Sequence, residues 1–192
     1  MKVINAGILC FSKSGYEKTA ISEIAAEAGV SKTAIFHYFG TKKDLYLFLF
    51  NYIADELVDG LSAIIAAGIE DFFECAIAYM KIRLRLCEKH PGMYELFRFH
   101  AEKRDYKDLE ELGADEIENE KIEKCVAMIF ANVDWNRFQN CYDPKKISKL
   151  ATWIETGCLS ELGKTMTIEE VHSEMEQYLM IIKKAVYKPE YL

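Results

Sequence analysis

The polar residues best suited to binding chemistry are concentrated in residues 31–42, which read SKTAIFHYFGTK. Ser31 is suited to cap a helix, because its hydroxyl can accept a hydrogen bond from a free N–H in the first turn. A helix N-terminus with exposed N–H groups, a positive dipole and a lysine such as Lys32 attracts phosphate. Thr33 can bond a base edge or contact a thymine methyl group in the major groove of DNA. The pattern predicts a short helix that contacts DNA.

The preceding residues, ISEIAAEAG at positions 21–29, predict a second short helix that positions the first one. Ala25 is small enough for two helices to cross closely, and Gly29 tolerates the positive φ of a sharp turn. We expect Val30 to fill the space between the helices, and Ile35 and Phe39 to turn inward. This arrangement is typical of a helix-turn-helix motif. On the pattern alone, an ordinary helical hairpin with a glycine turn remains the alternative.

With those residues committed to packing, the remaining side chains of the short helix lie nearer its outer side. They are Lys32, Thr33, Ala34, Phe36, His37 and Tyr38. The small residues Thr33 and Ala34 would let the helix enter a major groove. Lys42, at the start of the next helix, is placed for a flanking phosphate.

Charge is unevenly distributed along the 192 residues, whose net charge is −7. Residues 1–46 carry a net charge of +2 and the remaining residues a net charge of −9. A basic N-terminal segment followed by an acidic remainder favours nucleic-acid binding by residues 1–46. It disfavours a second nucleic-acid site in the rest of the chain. The hydrophobic fraction of 51% is ample for a core.

Helical periodicity runs through the whole chain, and no convincing strand alternation is present. Apolar stripes stop at Gly15, Gly29 and Gly40, which delimits three short helices. Longer patterns predict helices over about 42–66, 70–89, 117–133, 145–162 and 168–187, and Pro91 can open a further short one. The sequence predicts an all-α protein of about nine helices.

The six cysteines are scattered, with no spacing typical of a metal site, so we expect neither a metal nor another cofactor. Buried structural thiols are favoured, and a redox-sensing thiol is the alternative. Residues 2–11 resemble a signal peptide only faintly, and the longest apolar run, LYLFLF, is too short to span a bilayer. We therefore expect a soluble, cytoplasmic protein.

Residues 4–46 resemble the DNA-binding domain of TetR-type transcriptional regulators. The resemblance rests on the first-helix run through Phe11 and Gly15-Tyr16, on Ile24-Ala25, on Gly29-Val30-Ser31-Lys32, and on the aromatic triplet ending at Phe39. It implies a helix-turn-helix domain at 1–46 and a helical effector-binding and dimerisation domain at 47–192. It places Lys32, Thr33, Ala34 and Phe36 at base-reading positions, and Thr19, Ser22, Ser31, His37, Tyr38 and Lys42 at phosphate-contacting positions. Ala20 stands where the family commonly has Ser or Thr.

The resemblance also implies a homodimer in which the last two helices, at about 145–187, form a four-helix bundle with those of the partner. Two apolar stripes agree with this, although either could belong to the core of one chain. They comprise Ile147, Leu150, Ala151, Ile154, Cys158 and Leu162, and then Val171, Met175, Tyr178, Leu179, Ile182 and Val186.

A small-molecule effector pocket among the middle helices is the third implication. Residues suited to line it are Tyr79, Arg83, Met93, Phe97, His100, Met128, Phe130 and Trp153. The expected function is that of a repressor released from a palindromic operator by its effector. A DNA-binding architectural or cell-cycle protein with the same fold and no effector is the alternative. Catalysis by Cys87 with His90, or by His172, is not expected, because no orienting group accompanies them.

Overall fold

The computed structural model describes residues 1–93, 95, 114–162 and 164–192, and the prediction of an all-α protein is confirmed. The described part contains eight α-helices and no extended strand. They are α1 (Lys2–Lys18), α2 (Ile21–Ala28), α3 (Lys32–Phe39), α4 (Lys42–Ala66), α5 (Phe72–Lys89), α6 (Ala114–Asn132), α7 (Pro144–Glu161) and α8 (Ile168–Val186). The short helix predicted after Pro91 lies largely outside the described residues. None of the described helices is long and apolar enough to cross a membrane.

Local signals in the sequence account for the helix boundaries. α1 is interrupted at Gly15, whose φ of 72° is not helical. Asp143 precedes Pro144, the first residue of α7, and caps this helix because its carboxylate accepts a hydrogen bond from the Lys145 N–H. At the start of α8, Thr167 Oγ1 accepts from the Glu170 N–H, and Glu170 Oε2 accepts from the Thr167 N–H. This reciprocal pair is a capping box.

The chain forms two compact units, one of residues 1–59 and 85–125 and the other of residues 60–84 and 126–192. In the first unit, α1 is packed so closely that a Cβ at either of two glycines would force a neighbouring group to move. A Cβ at Gly7 would come within 2.7 Å of Leu49 on α4. A Cβ at Gly92, where φ is +89°, would come within 2.6 Å of Ser12 Oγ and 3.0 Å of Leu9 Cα. Both α4 and the turn at 90–93 therefore lie directly against α1.

His90, at the end of α5, is fully buried in this first unit and bonded on both sides of its ring. Its Nδ1 lies 2.7 Å from Asn5 Oδ1 on α1, and its Nε2 lies 3.3 Å from the Tyr52 hydroxyl on α4. Because Asn5 Oδ1 can only accept, Nδ1 carries the proton of the neutral ring. Nε2 then accepts a hydrogen bond from the Tyr52 O–H.

The second unit contains a buried charge cluster centred on Asp71. One oxygen of Asp71 accepts from the N–H groups of Phe73 and Glu74, and so caps α5. The other oxygen lies 2.9 Å from Lys183 Nζ and 3.3 Å from Arg137 NH1. Buried charges are tolerated when they are paired and hydrogen-bonded in this way. Beside the cluster, aromatic rings pack at centroid distances of 4.6–6.1 Å and include Phe72, Phe73, Trp135, Phe138 and Tyr187.

The burial of His90 makes the stability of the protein sensitive to acid. Burial lowers the pKa of the His90 imidazole from its usual value of 6.5, with a smaller lowering contribution from Lys89 and an opposing one from Glu56. The unfolded chain therefore binds this proton more tightly, so the stabilising contribution is present above pH 6.5 and is lost as the pH falls below it. We expect the free energy of unfolding in urea to fall between pH 7.5 and 5.5 more steeply for the unmodified protein than for His90→Gln. His37→Gln, at an exposed position, is the control and should keep the steep profile. Parallel profiles for the unmodified protein and His90→Gln would contradict the assignment.

Candidate DNA-binding surface

The turn between α2 and α3 is built by Gly29 and Ser31. Gly29 has a left-handed φ of 66°, and a Cβ there would meet no atom within 4 Å. The requirement for glycine therefore comes from the backbone angle alone. Ser31 caps α3, because its Oγ accepts a hydrogen bond from the Ala34 N–H at 3.1 Å. Both roles are those predicted from the sequence.

Buried side chains hold α3 against α2. Ile24, Ala25 and Ala28 of α2 and Ile35 of α3 are all buried. Two predicted packing roles need correction. Val30 is exposed rather than enclosed between the helices, because the turn at Gly29 directs the next residue to the surface. Phe39 is half-buried, with its ring 5.1 Å from that of Phe48 on α4.

The opposite side of α3 carries polar and aromatic side chains that face outward. Lys32, Thr33 and His37 are exposed, as are Phe36 and Tyr38, the latter to 80%. Ala34 is half-buried between the two sides. The Lys32 ammonium lies 5.6 Å from the centre of the Phe36 ring. We call these six residues the α3 face.

The N-terminus of α2 has no side-chain cap at Ala20. Ser22 is exposed in its first turn. Glu23 compensates for the missing cap, because its carboxylate accepts from the Ala20 N–H at 2.9 Å. Sequence reasoning missed this role of Glu23, although an acidic residue three positions after a cap position is a recognisable signal. Glu23 also places a negative charge near a predicted phosphate-contacting residue.

The prediction that the Thr19 side chain contacts phosphate is wrong. Thr19 is 1% exposed, and its hydroxyl lies 2.7 Å from the Gly15 carbonyl oxygen and 3.1 Å from that of Cys10. The hydroxyl is thus used to satisfy backbone carbonyls where α1 ends. A residue between two helices can either face the ligand or close the helix end, and the sequence does not distinguish these roles.

Lys42 joins the start of α4 to the end of α1. Its ammonium donates to the Glu17 carbonyl oxygen at 3.1 Å and lies 4.4 Å from the centre of the Tyr16 ring. A lysine ammonium has three N–H donors, so two are left by the Glu17 bond. Lys43, next to it, is exposed. Sequence reasoning missed Lys43, although the adjacent lysine pair was a visible signal.

The residues suggested for an effector pocket do not share one environment. Trp153 is 61% exposed, so it does not line an interior pocket of this chain, and that prediction is corrected. The exposed position follows from the helical register of α7, because the side of this helix that carries Ile147 and Cys158 faces the core and Trp153 lies on another side. Arg83 forms an ion pair with Glu155 in the second unit, which neutralises its charge. Met93 is fully buried in the first unit.

The other proposed pocket residues divide into two groups. Tyr79, Met128 and Phe130 are half-buried in the second unit. The Phe130 ring packs 4.8 Å from that of Trp135, whose Nε1 donates to the Phe130 carbonyl oxygen. Phe97 and His100 lie outside the described residues.

Among the cysteines with described side chains, those at positions 10, 75, 87, 141 and 158 form no disulfide bond. Burial raises the pKa of the Cys10, Cys75 and Cys158 thiols. A raised pKa lowers the fraction of reactive thiolate at neutral pH. These three environments therefore suit packing better than redox chemistry. Among residues with described side chains, no group of three His, Cys, Asp or Glu is arranged to hold a metal ion.

Comparison with known proteins finds one matching family model and relatives of two kinds, a transcriptional regulator and a nucleoid occlusion factor. Residues 3–48 match the family described as "Bacterial regulatory proteins, tetR family". Over 97 residues the chain is 32% identical to the HTH-type transcriptional regulator RutR of Escherichia coli K12, a match that covers 50% of this chain and 44% of RutR. Over 90 residues it is 26% identical to the nucleoid occlusion factor SlmA of Serratia proteamaculans, covering 47% of this chain and 45% of SlmA. The matches span somewhat less than half the length of these curated relatives.

The similarity of fold extends further than the similarity of sequence. The structure of the fatty acid degradation regulator FadR from Bacillus halodurans superimposes with a TM-score of 0.73 over 93% of each chain. Sequence identity in that superposition is 15%, so the likeness concerns the fold alone. The family match and the fold together cover both the helix-turn-helix segment and the helices that follow it.

Proposed function

We propose that this chain, whose residues 3–48 match the tetR family of bacterial regulatory proteins, is a homodimeric regulator that represses transcription by binding a palindromic DNA operator. The observation that carries the proposal is the α3 face. Its side chains are presented to solvent by a short helix whose other side is buried against α2. Such a helix is the right size and shape to enter a major groove.

The chemistry of the α3 face supports duplex DNA as the partner. Lys32 and the capped N-terminus of α3 suit a phosphate or a guanine edge, and Thr33 suits a base edge or a thymine methyl. Ser22, Ser31, His37, Tyr38 and Lys42 surround these positions and supply donors for backbone phosphates. The net positive charge of residues 1–46 favours approach to DNA.

A salt titration separates phosphate contacts from base contacts. Lys42→Gln removes one charge but keeps a donor for the Glu17 carbonyl, so we expect the slope of log Kd against log salt to decrease by about one unit. Thr33→Ala should leave that slope unchanged and alter base preference instead. Binding is measured by fluorescence anisotropy on a duplex selected from a random library with the unmodified protein.

Lys146→Ala, an exposed lysine at the start of α7, is the control for loss of charge alone and should leave the slope unchanged. If the library yields no enriched duplex, or if the Lys42 and Thr33 variants bind the selected duplex as the unmodified protein does, the α3 face is not the DNA-binding surface.

The dimer is proposed to form through the outer sides of α7 and α8. Leu150 and Trp153 are exposed on α7, and Tyr178 and Ile181 are exposed on α8. These pairs recur three residues apart, which places each pair on one side of its helix. Large apolar side chains at the surface of one chain are typical of an interface between copies. A two-fold dimer presents two copies of α3 to the two halves of a palindrome.

Two matched substitutions on α8 distinguish the interface from the core. Ile181 is 63% exposed, whereas Leu179, two residues earlier, is 4% exposed. We expect Ile181→Glu to give a folded monomer, because a charge buried in the seam costs several kcal/mol of association energy. Leu179→Glu should instead unfold the chain. Light scattering and circular dichroism report the two outcomes, with Ala131→Glu on α6 as the exposed control. A dimer that persists in Ile181→Glu would place the interface elsewhere.

Release by a small-molecule effector is the regulatory part of the proposal. The half-buried aromatic and sulfur-containing side chains at Tyr79, Met128 and Phe130 suit an apolar ligand, since such residues adapt to irregular shapes. The charge of Arg83 is already balanced by Glu155, so an anionic ligand would have to displace that carboxylate.

A thermal-shift screen of metabolites tests this part. We expect a compound that raises the melting temperature to lower affinity for the selected duplex about 5–150-fold, the usual range of coupling between two sites. Substitution of Met128 by Ala should weaken the thermal shift without altering DNA affinity in the absence of the compound. Hits that stabilise the protein but leave DNA affinity unchanged would favour an architectural role of the kind that the name of SlmA describes.

A further inference from the structure

We infer that His90 is a positioning residue that fixes the orientation of α1 and of the DNA-binding helix α3 relative to α4, at Tyr52, and to the end of α5. The inference rests on the proposed function, because orientation matters only if α3 docks on DNA. The residues that it assigns, His90, Asn5 and Tyr52, belong neither to the α3 face nor to the suggested effector pocket.

The first observation is that the turn at 90–93 is fitted directly onto α1. His90 and Met93 are fully buried, and Gly92 approaches Ser12 and Leu9 so closely that no Cβ fits there. Ser12 is itself buried, and its hydroxyl donates to the Leu9 carbonyl oxygen. Contact at this distance leaves little room for sliding, because packed surfaces change in discrete steps rather than continuously.

The second observation is that His90 forms polar contacts with both α1 and α4, away from the Lys42–Glu17 hydrogen bond that joins the start of α4 to the end of α1. Its Nδ1–H donates to Asn5 Oδ1 at 2.7 Å, and its Nε2 accepts from Tyr52 at 3.3 Å. Each hydrogen bond has a defined direction, so the ring holds both helices at set angles, which an apolar contact would not. Lys89 adds to this fixation, since its ammonium lies 5.8 Å from the centre of the Tyr52 ring and 3.1 Å from Glu56.

The third observation is a continuous series of ring contacts from His90 to α3. The His90 ring meets Tyr52 edge-on, with centroids 5.5 Å apart. Tyr52 stacks on Phe48 at 6.5 Å, and Phe48 packs against Phe39 at 5.1 Å. Phe39 is the last residue of α3. Tyr52 therefore connects His90 to the recognition helix, while Asn5 connects it to α1.

Together these contacts join α1, through Asn5, and α3, through Tyr52, Phe48 and Phe39, to the residue that follows the last turn of α5. A change in α5 would therefore reach α3 through a histidine bonded to two other helices. Contiguity alone does not demonstrate coupling, so the test measures whether the bonds control the geometry of DNA binding.

The test uses half-site spacing as its readout. Two duplexes are prepared, namely the one selected by the unmodified protein and the same duplex with two base pairs inserted between its half-sites. If the two copies of α3 are held rigidly, the dimer discriminates against the inserted duplex, because the separation of the half-sites must match the separation of the two α3 helices. Asn5→Ala and Tyr52→Phe each remove one hydrogen bond of His90. We expect each to weaken binding to the selected duplex about 2–10-fold while binding to the inserted duplex is unchanged, so discrimination falls by the same factor.

Matched controls exclude general effects of the substitutions. Asn140→Ala and Tyr142→Phe make the same chemical changes at exposed positions of the second unit and should alter neither affinity. All variants are assayed well below their melting temperatures, so that the whole sample is folded. A variant that is simply less active would lose affinity for both duplexes equally, and that outcome would overturn the inference.

Substitutions of His90 itself provide a second, independent measurement. His90→Asn keeps a donor near Nδ1 for Asn5 but loses the ring that meets Tyr52. We expect Tyr52→Phe to have less than about a 2-fold further effect on discrimination in that background, because the bond it removes is already absent. Asn5→Ala should retain its full effect there. Additive effects of His90→Asn and Tyr52→Phe would contradict the coupling. If the unmodified protein selects no duplex, the proposed function fails instead.

Discussion

The close packing of α1 is the constraint on which the rest of the first unit depends. Two glycines make it possible, since side chains at Gly7 and Gly92 would collide with Leu49 and with Ser12 and Leu9. α1 meets both α4 and the 90–93 turn at these distances, so its position is set by contacts of the two glycine backbones with the Leu49 and Ser12 side chains and with Leu9. α2 packs against α1 and α3 packs against α2, and the α3 face is therefore directed by elements outside it.

The distribution of polar groups follows from that packing. Buried polar side chains in and near residues 1–46 are all used within the protein: Thr19 closes α1, Ser12 bonds its own helix, and His90 bonds two neighbours. The polar side chains of the α3 face are instead left at the surface. A folded chain satisfies its buried hydrogen-bonding groups internally. This separation leaves the side chains of the α3 face available to a ligand, whereas the hydroxyl of Thr19 is used within the protein.

The two last helices show where periodicity reaches its limit. Residues that recur at helical spacing in α7 and α8 were expected to face a partner chain or the core of their own chain. In the structure Val171, Met175 and Leu179 are buried within one chain, whereas Leu150 and Tyr178 of the same stripes are exposed, as are Trp153 and Ile181 outside them. An amphipathic stripe shows only that one side of a helix is covered. Whether the covering elements belong to the same chain is decided by the fold.

The sequence by itself determined the helices, their ends and the helix-turn-helix motif, because each depends on neighbours along the chain. The left-handed φ of Gly29 and the Ser31 cap are local, and they are found where the pattern predicted them. The Asp143 cap and Pro144 are local signals too, and α7 begins at Pro144, beside its predicted start at about 145. Only the tertiary structure decided that Thr19 is buried, that Val30 and Trp153 are exposed, and that Arg83 is paired with Glu155. It alone brought together Asn5, Tyr52 and His90, which are up to 85 residues apart. Such contacts depend on how helices cross in space, and a linear pattern of side chains carries no record of crossing angles.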